Sequence, residues 1–181
     1  MGERLSPGPA LERVELLAAP VVAALRAWAG SVPVGEIEVV EIDPEVADTA
    51  AFCERYGVAL DDSANTIIVV GKSDPRVYVA CVVLATTKID VNGAVRRRLG
   101  VKRASFASAD ETVELTGMMI GGVTPFALPA GLPLWIDERV MARGAVVVGG
   151  GSRSLKVRVS PEVFHSMATA EVVPDLATPV A

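Results

Sequence analysis

Two long apolar stretches, separated by a five-residue turn, constrain the fold of this chain most. Residues 64–70 and 76–85 are apolar at nearly every position and rich in β-branched side chains. The segment 71–75 between them holds glycine, serine, aspartate and proline, which favour tight turns. Strands that are apolar at nearly every position lie in the centre of a sheet, and short connections join antiparallel neighbours. The sequence therefore predicts a central antiparallel hairpin.

Shorter periodic segments surround this hairpin. Helical spacing of apolar residues, caps and terminating glycines predict helices over 10–29 (divided or kinked at Pro20), 43–56, 90–99, 108–117 and from Ser160 onward. Short apolar or alternating runs predict strands over 36–42, 102–106, 132–136, 145–148 and 155–159. This order of elements is typical of an α+β domain built around one mixed sheet.

The length of the chain favours a single domain. A chain of 181 residues fits one domain and buries a sizeable core. Prolines, a glycine and mixed charges mark residues 1–9 as a flexible N-terminus. We expect the domain over residues 10–170 and a flexible C-terminal tail over 171–181.

The composition indicates how the core is built and where in the cell the protein is expected. Hydrophobic residues make up 51% of the chain and aromatic residues 4%, so the core is built from Val, Ala, Leu and Ile. No secretory signal and no apolar run long enough to span a bilayer is present in the sequence. We therefore expect a cytoplasmic protein with Cys53 and Cys81 buried as reduced thiols, although their spacing alone leaves a disulfide open.

The net charge and the single histidine argue against two kinds of binding site. A net charge of −5 argues against a broad basic surface for DNA or RNA, but is compatible with contact to the end of a nucleic acid. The chain has a single histidine, His165, which leaves little material for a histidine-based metal site. No metal and no cofactor are expected.

Three segments carry candidate site residues. The loop Gly121-Gly122-Val123-Thr124-Pro125 can direct bare backbone amides at a carbonyl oxygen, although such loops are also ordinary surface turns. Asn65 and Thr66 stand at the start of the first apolar strand, where they either line a cleft or satisfy local backbone groups. A second loop contains Gly149, Gly151 and Ser152, and its alternative role is a hairpin turn. Glycine loops and polar strand ends commonly line one cleft.

One basic patch stands out in this acidic chain. It consists of the arginine run at 96–98 with Lys102, Arg103 and Lys88. We expect RNA phosphates to contact Lys88, Arg96, Arg97 and Lys102. The alternative is an ordinary solvated helix face.

The order of these features resembles the YbaK and prolyl-tRNA synthetase editing-domain family, the aminoacyl-tRNA deacylases. Matching stretches span roughly residues 45–166, and the most specific of them are 64–69, 107–117, 121–126 and 132–137. The resemblance implies a mixed, mostly antiparallel, barrel-like sheet with flanking helices. It also implies a cytoplasmic enzyme that hydrolyses the ester between a wrong amino acid and the 3′ end of its tRNA.

The resemblance also implies roles for individual residues. Backbone amides of Gly121 and Gly122 would lie near the aminoacyl carbonyl, and Thr66, Val123 and the second glycine loop would contact substrate. The position of the family's catalytic lysine falls on Asn65, which carries no charge. Lys72 or Lys88 could supply a cation from elsewhere in the fold.

Three functions therefore stay open. The leading hypothesis is an aminoacyl-tRNA deacylase that uses Gly121, Gly122 and Asn65. The alternative is a non-catalytic module that has lost the lysine and binds an aminoacyl group, a tRNA end or a protein. A deacylase for another small ester or amide is the third. The strand near 77–84 lies either in the core or at a homodimer contact.

Overall fold

The two central apolar stretches form the predicted hairpin. In this computed structural model, which describes residues 5–180, the two strands pair antiparallel over their full length, from Ala64 opposite Leu84 to Gly71 opposite Val77. Val69 and Val79 are fully buried on one face of the pair, and Ile68 and Ala80 are buried on the other. Burial on both faces explains why nearly every position is apolar.

Eleven strands are present in the described part of the chain. They are β1 (Gly8–Pro9), β2 (Glu38–Glu41), β3 (Ala64–Gly71), β4 (Val77–Leu84), β5 (Thr87–Ile89), β6 (Ala104–Phe106), β7 (Leu134–Asp137), β8 (Val146–Gly149), β9 (Leu155–Val159), β10 (Ala170–Val173) and β11 (Ala177–Pro179). The α-helices of the same residues are α1 (Ala19–Arg26), α2 (Thr49–Tyr56), α3 (Arg96–Leu99), α4 (Ala109–Thr116) and α5 (Glu138–Met141). Short 3-10 segments and one π-helical segment, Val91–Val95, also occur in these residues.

The strands form three sheets that enclose one main core. The largest has the order β10-β7-β4-β3-β6, with β7 parallel to both neighbours, and a four-stranded antiparallel sheet has the order β1-β2-β9-β8. A parallel bridge between Ser63 and Val147 links β8 to the start of β3, and β5 pairs with β11. The main core lies between the two larger sheets. The predicted fold class, mostly antiparallel α+β, is confirmed.

Strand β4 lies in the core and not at an edge. It pairs with β3 on one side and with β7 on the other, and its residues from Val79 to Leu84 are buried. This placement decides between the two settings that the sequence left open for this strand. Cys81 lies on β4 and Cys53 on α2; both are free and buried, and burial raises the pKa of the Cys81 thiol.

Helix boundaries differ from the prediction where proline and polar residues interrupt the chain. The expected helix over 10–29 is two 3-10 turns followed by α1, which starts at Ala19 with Pro20 in its first turn. Proline is tolerated there because the first helical amides have no intrahelical acceptor. The expected helix over 43–56 is interrupted: Asp43 caps a 3-10 turn over Pro44–Val46, and α2 starts afresh at Thr49. Helix α4 has the capping box that its sequence predicts.

The C-terminal residues form strands, where the sequence predicts a flexible tail over 171–181. Strand β10 pairs with β7, β11 pairs with β5, and the Leu176 side chain between them is fully buried. The Ala177 amide donates a hydrogen bond of 2.9 Å to the buried carboxylate of Asp137. Part of the expected flexible N-terminus, residues 1–4, lies outside the described residues, and Gly8–Pro9 pair with β2.

No helix among residues 5–180 has the length and apolar character needed to cross a membrane.

Replacing the anchor of the C-terminal strands should destabilise the fold. Leu176→Ala leaves a cavity in the core, and we expect it to lower the free energy of unfolding by about 2–5 kcal/mol. Chemical denaturation measures the change, with Val180→Ala as the control because Val180 is 62% exposed. Equal stability of the two variants would show that the tail does not pack as described.

Candidate functional site

A cavity of about 320 Å³ opens where the start of β3 meets the Gly-Gly loop. The segment before α2, the end of β8 and one residue of β9 complete its wall. Its lining residues are Ala47, Asp48, Thr49, Ala64, Asn65, Thr66, Ile67, Ile120, Gly121, Val123, Gly149 and Lys156. Lys156 and Asp48 are the ionisable members of this set.

The two glycine loops pack against each other through their backbones. A Cβ atom on Gly149 would lie 2.1 Å from the Val123 carbonyl oxygen, and one on Gly122 would lie 2.6 Å from the Ser152 carbonyl carbon. The Gly151 amide donates a 2.8 Å hydrogen bond to the Gly122 carbonyl oxygen. Side chains at these positions would separate the loops, so the glycines serve close approach.

Internal hydrogen bonds hold the Gly-Gly loop in shape. Gly121 adopts φ +90°, a conformation that glycine reaches without strain. The Gly122 amide donates to the Met119 carbonyl oxygen at 3.0 Å, so this amide is already used within the loop. Thr124 is fully buried, and its hydroxyl accepts a hydrogen bond from the Phe126 amide. Among residues 5–180, no acceptor is assigned to the amides of Gly121 and Val123, both of which line the cavity.

A buried lysine enters the cavity from β9. The side chain of Lys156 is largely covered, and its ammonium donates to the Ala47 carbonyl oxygen at 2.8 Å and contacts the Gly121 carbonyl oxygen at 3.4 Å. The same ammonium lies 5.3 Å from the centre of the Phe52 ring. Burial lowers the pKa of Lys156, while the nearby Cys53 and Asp48 oppose that shift. A cation without a carboxylate in hydrogen-bonding contact can bind a developing negative charge.

Sequence reasoning did not single out Lys156 as a site residue. Strand β9 alternates apolar and basic residues, and a period of two places Lys156 on the same face as Arg158, which is exposed. Lys156 is covered because Ala47 and Phe52 lie over that face at its position. The only available signal is its closeness in sequence to the second glycine loop. Neither Lys72 nor Lys88, the two lysines considered from the sequence, lines the cavity.

Arg153 is a second basic residue that sequence reasoning did not single out. Its guanidinium donates to the carbonyl oxygens of Ile120 and Pro44, each at 3.2 Å, and lies 3.9 Å from the Asp48 carboxylate. It therefore ties the Gly-Gly loop to the segment before α2.

The predicted pair at the start of β3 lines the cavity. The Asn65 side-chain oxygen accepts a 2.5 Å hydrogen bond from the Thr49 hydroxyl, and no partner among residues 5–180 is assigned to its amide nitrogen. The hydroxyl of Thr66 is buried and lacks a hydrogen-bond partner within the described chain. Buried polar groups are normally paired, so the unpaired hydroxyl of this cavity-lining residue is an exception.

The structure brings some predicted substrate-binding residues together and separates others. Five predicted residues line the cavity: Asn65, Thr66, Gly121, Val123 and Gly149. The remaining ones do not line it: Gly122, Thr124, Pro125, Gly151 and Ser152. Among them, Gly122 and Gly151 join the two glycine loops through a backbone hydrogen bond.

None of the predicted RNA-contacting residues lines this cavity. Lys88 lies on β5, Arg96 and Arg97 lie on α3, and Lys102 is exposed in the turn before β6. The neighbouring Arg98 is engaged in the fold, because it pairs with Glu171 and lies over the Trp135 ring. The role of the patch in binding RNA stays a prediction.

Comparison with known proteins points to one family. A model of the "Aminoacyl-tRNA editing domain" matches residues 43–166. The uncharacterized protein YwhH of Bacillus subtilis (strain 168) is 28% identical over 137 residues, which are 76% of this chain and 85% of that protein. EbsC of Enterococcus faecalis (strain ATCC 700802 / V583), whose name proposes a Cys-tRNA(Pro)/Cys-tRNA(Cys) deacylase, is 21% identical over 122 residues, 67% of this chain and 72% of EbsC.

Solved structures share the fold. The crystal structure of the hypothetical protein APE2540 has a TM-score of 0.69 at 26% identity and covers 78% of this chain and 91% of its own. The crystal structure of a proposed trans-editing enzyme for prolyl tRNA synthetase has a TM-score of 0.72 at 23% identity. It covers 87% of this chain and 97% of its own.

Adding a methyl group at the loop contact should destabilise the protein. Gly149→Ala forces the Val123 carbonyl away, and we expect a loss of about 1–3 kcal/mol in the free energy of unfolding. Gly144→Ala is the matched control, since a Cβ there meets nothing within 4 Å. Equal stability of the two alanine variants would contradict the packing of the loops.

Burial of Lys156 should give the protein a distinct dependence of stability on pH. The pKa of Lys156 in the folded protein lies below the ordinary lysine value of 10.5. Between these two pKa values the unfolded chain binds more protons than the folded chain, so the free energy of unfolding rises with pH. We expect this rise to be absent in Lys156→Met. Denaturation from neutral pH to pH 10.5 measures the free energy of unfolding with and without Lys156→Met. Both proteins carry Cys53→Ala, because the Cys53 thiol interacts with Lys156. The same pH dependence in both proteins would contradict a lowered pKa of Lys156.

Proposed function

Because this chain belongs to the aminoacyl-tRNA editing domain family, we propose that it is a trans-editing deacylase that hydrolyses the ester of a mischarged aminoacyl-tRNA. The observation that carries the proposal is the buried ammonium of Lys156, which lines the same cavity as Asn65 and Gly121. A cation is thus available to catalysis although Asn65 is uncharged.

The cavity offers two kinds of stabilisation for an oxyanion. The unbonded amides of Gly121 and Val123 can donate to the carbonyl oxygen of the ester, and the Lys156 ammonium adds positive charge beside them. Val123 replaces Gly122 as the second donor in this proposal, since the Gly122 amide is used by Met119. Donors fixed before the reaction stabilise the charge that develops as water attacks.

The charges of the cavity also orient the aminoacyl group. Asp48 supplies a carboxylate at the rim, 76% exposed, which attracts the α-ammonium of the amino acid. Lys156 repels that ammonium and attracts the carbonyl oxygen. The amide nitrogen of Asn65 can donate a further hydrogen bond to the substrate.

The hydrolysis balances without a redox step or a co-reactant. Water adds to the carbonyl carbon, and the ester bond to the ribose oxygen breaks. One proton of the water goes to the ribose oxygen, and the other is lost to solvent as the amino acid leaves as a carboxylate. A neighbouring tRNA hydroxyl can relay the first proton.

The setting of the reaction is part of the proposal. Trans-editing protects translation fidelity by acting on free charged tRNA, which places the protein in the cytoplasm. The 3′ end of the tRNA enters the cavity, and the basic residues near α3 contact its phosphates. Homodimer formation stays a prediction from the sequence.

A panel of correctly and wrongly charged tRNAs tests the function directly. The proposal expects release of one or a few amino acids by the purified protein. If a folded protein releases none, the non-catalytic binding module becomes the better account. Variants of the cavity's side chains are better controls than a substitution of Gly121. A side chain on Gly121 would strain the loop at φ +90° and meet Arg153.

Removing the charge of Lys156 should slow deacylation strongly. We expect Lys156→Met to lower kcat by about 10²–10³-fold, the usual effect of losing one oxyanion-stabilising group. Lys72→Met is the matched control, because Lys72 is exposed and does not line the cavity. Single-turnover release of the amino acid measures both.

Moving the lysine within the cavity should restore part of the lost activity. In Asn65→Lys/Lys156→Met the ammonium returns from β3, and we expect kcat at least about tenfold above that of Lys156→Met. Full activity of Lys156→Met alone would remove this residue from the mechanism.

A further inference from the structure

A second cavity of about 300 Å³ adjoins the first and has a different character. It lies between β3, the end of β6, α4 and the Gly-Gly loop, and we call it the apolar groove. It shares five wall residues with the first cavity: Thr66, Ile67, Ile120, Gly121 and Val123. A ligand that reacts beside Gly121 can therefore extend directly into the groove.

The groove carries no charge and exposes large apolar side chains. None of its wall residues is ionisable, whereas Lys156 and Asp48 line the first cavity. Phe106, at the end of β6, is 51% exposed, and Ile120, directly before the Gly-Gly loop, is 53% exposed. Both side chains line the groove and stay uncovered there. Large apolar groups that stay exposed together around a cavity indicate a binding surface.

The amino acid and the nucleoside of an aminoacyl ester differ in charge, as the two cavities do. The amino acid carries an ammonium on the carbon next to the ester carbonyl, which suits the charged first cavity. The nucleoside carries a flat, uncharged base. Aromatic side chains bind unpaired bases by stacking, without needing charge. Thr66 lines both cavities, so the ester and the nucleoside of one ligand can lie on either side of it.

We propose that the apolar groove is the nucleobase subsite, in which the terminal adenine of the charged tRNA stacks on Phe106. The assignment rests on the proposed deacylase function, since it needs the ester beside Gly121. It makes Phe106 a substrate-binding residue and the groove the feature that selects a purine at the RNA end.

Binding of uncharged RNA tests the subsite separately from hydrolysis. The probes are two short RNA hairpins, one ending in CCA and one ending in CCU, titrated against the full chain. We expect tighter binding of the CCA hairpin, and Phe106→Ala should weaken it about 5- to 150-fold, the usual range for loss of one stacked base. Phe106→Trp keeps the stacking surface and should retain the preference. Leu60→Ala controls for the loss of an exposed apolar side chain outside the groove.

Hydrolysis kinetics provide the second readout. If the base lies in the groove, Phe106→Ala raises KM and leaves kcat nearly unchanged. If Phe106→Ala changed which amino acids are released but left binding of the CCA hairpin unchanged, the assignment would be overturned. The amino acid side chain would then lie in the groove. If the CCA hairpin binds more tightly than the CCU hairpin but no charged tRNA is hydrolysed, the subsite is supported and only the deacylase proposal is overturned. Absence of both binding and hydrolysis would overturn both.

Discussion

The buried ammonium of Lys156 is the contact on which the site depends. It joins β9 to the Ala47 carbonyl before α2 and to the Gly121 carbonyl of the Gly-Gly loop. The interruption of the helix between Val46 and Thr49 makes this contact available, because a continuous helix would use the Ala47 carbonyl oxygen itself. Because its hydrogen-bond partners are neutral carbonyls, no bonded carboxylate offsets the charge of this ammonium toward a ligand.

Backbone packing between the two glycine loops fixes the opposite wall. Gly149 and Gly122 bring the loops to a separation that no side chain permits, and Gly151 adds a hydrogen bond across the contact. This contact leaves the cavity lined on that side by main chain, with free amides at Gly121 and Val123. In the proposed function, these amides and the Lys156 ammonium together stabilise a carbonyl oxygen that becomes negative during hydrolysis.

The sequence predicted the parts of the molecule whose signals are local. The hairpin of β3 and β4 follows from two apolar runs and a turn, and α4 follows from its capping box. Lys156 could not be predicted, because alternation in β9 assigns it to solvent and only the distant residues Ala47 and Phe52 bury it. The C-terminal strands were missed for a related reason: each is short and becomes stable only through its partner strand and the burial of Leu176.

A crystal structure with a non-hydrolysable ligand tests the central claim most directly. In 3′-aminoacylamino-adenosine an amide replaces the reactive ester but keeps the carbonyl, the amino acid and the base. The account predicts the carbonyl oxygen within hydrogen-bonding distance of the Gly121 amide and beside the Lys156 ammonium. A complex in which the carbonyl points away from both, or in which the ligand lies outside the cavity, would contradict it.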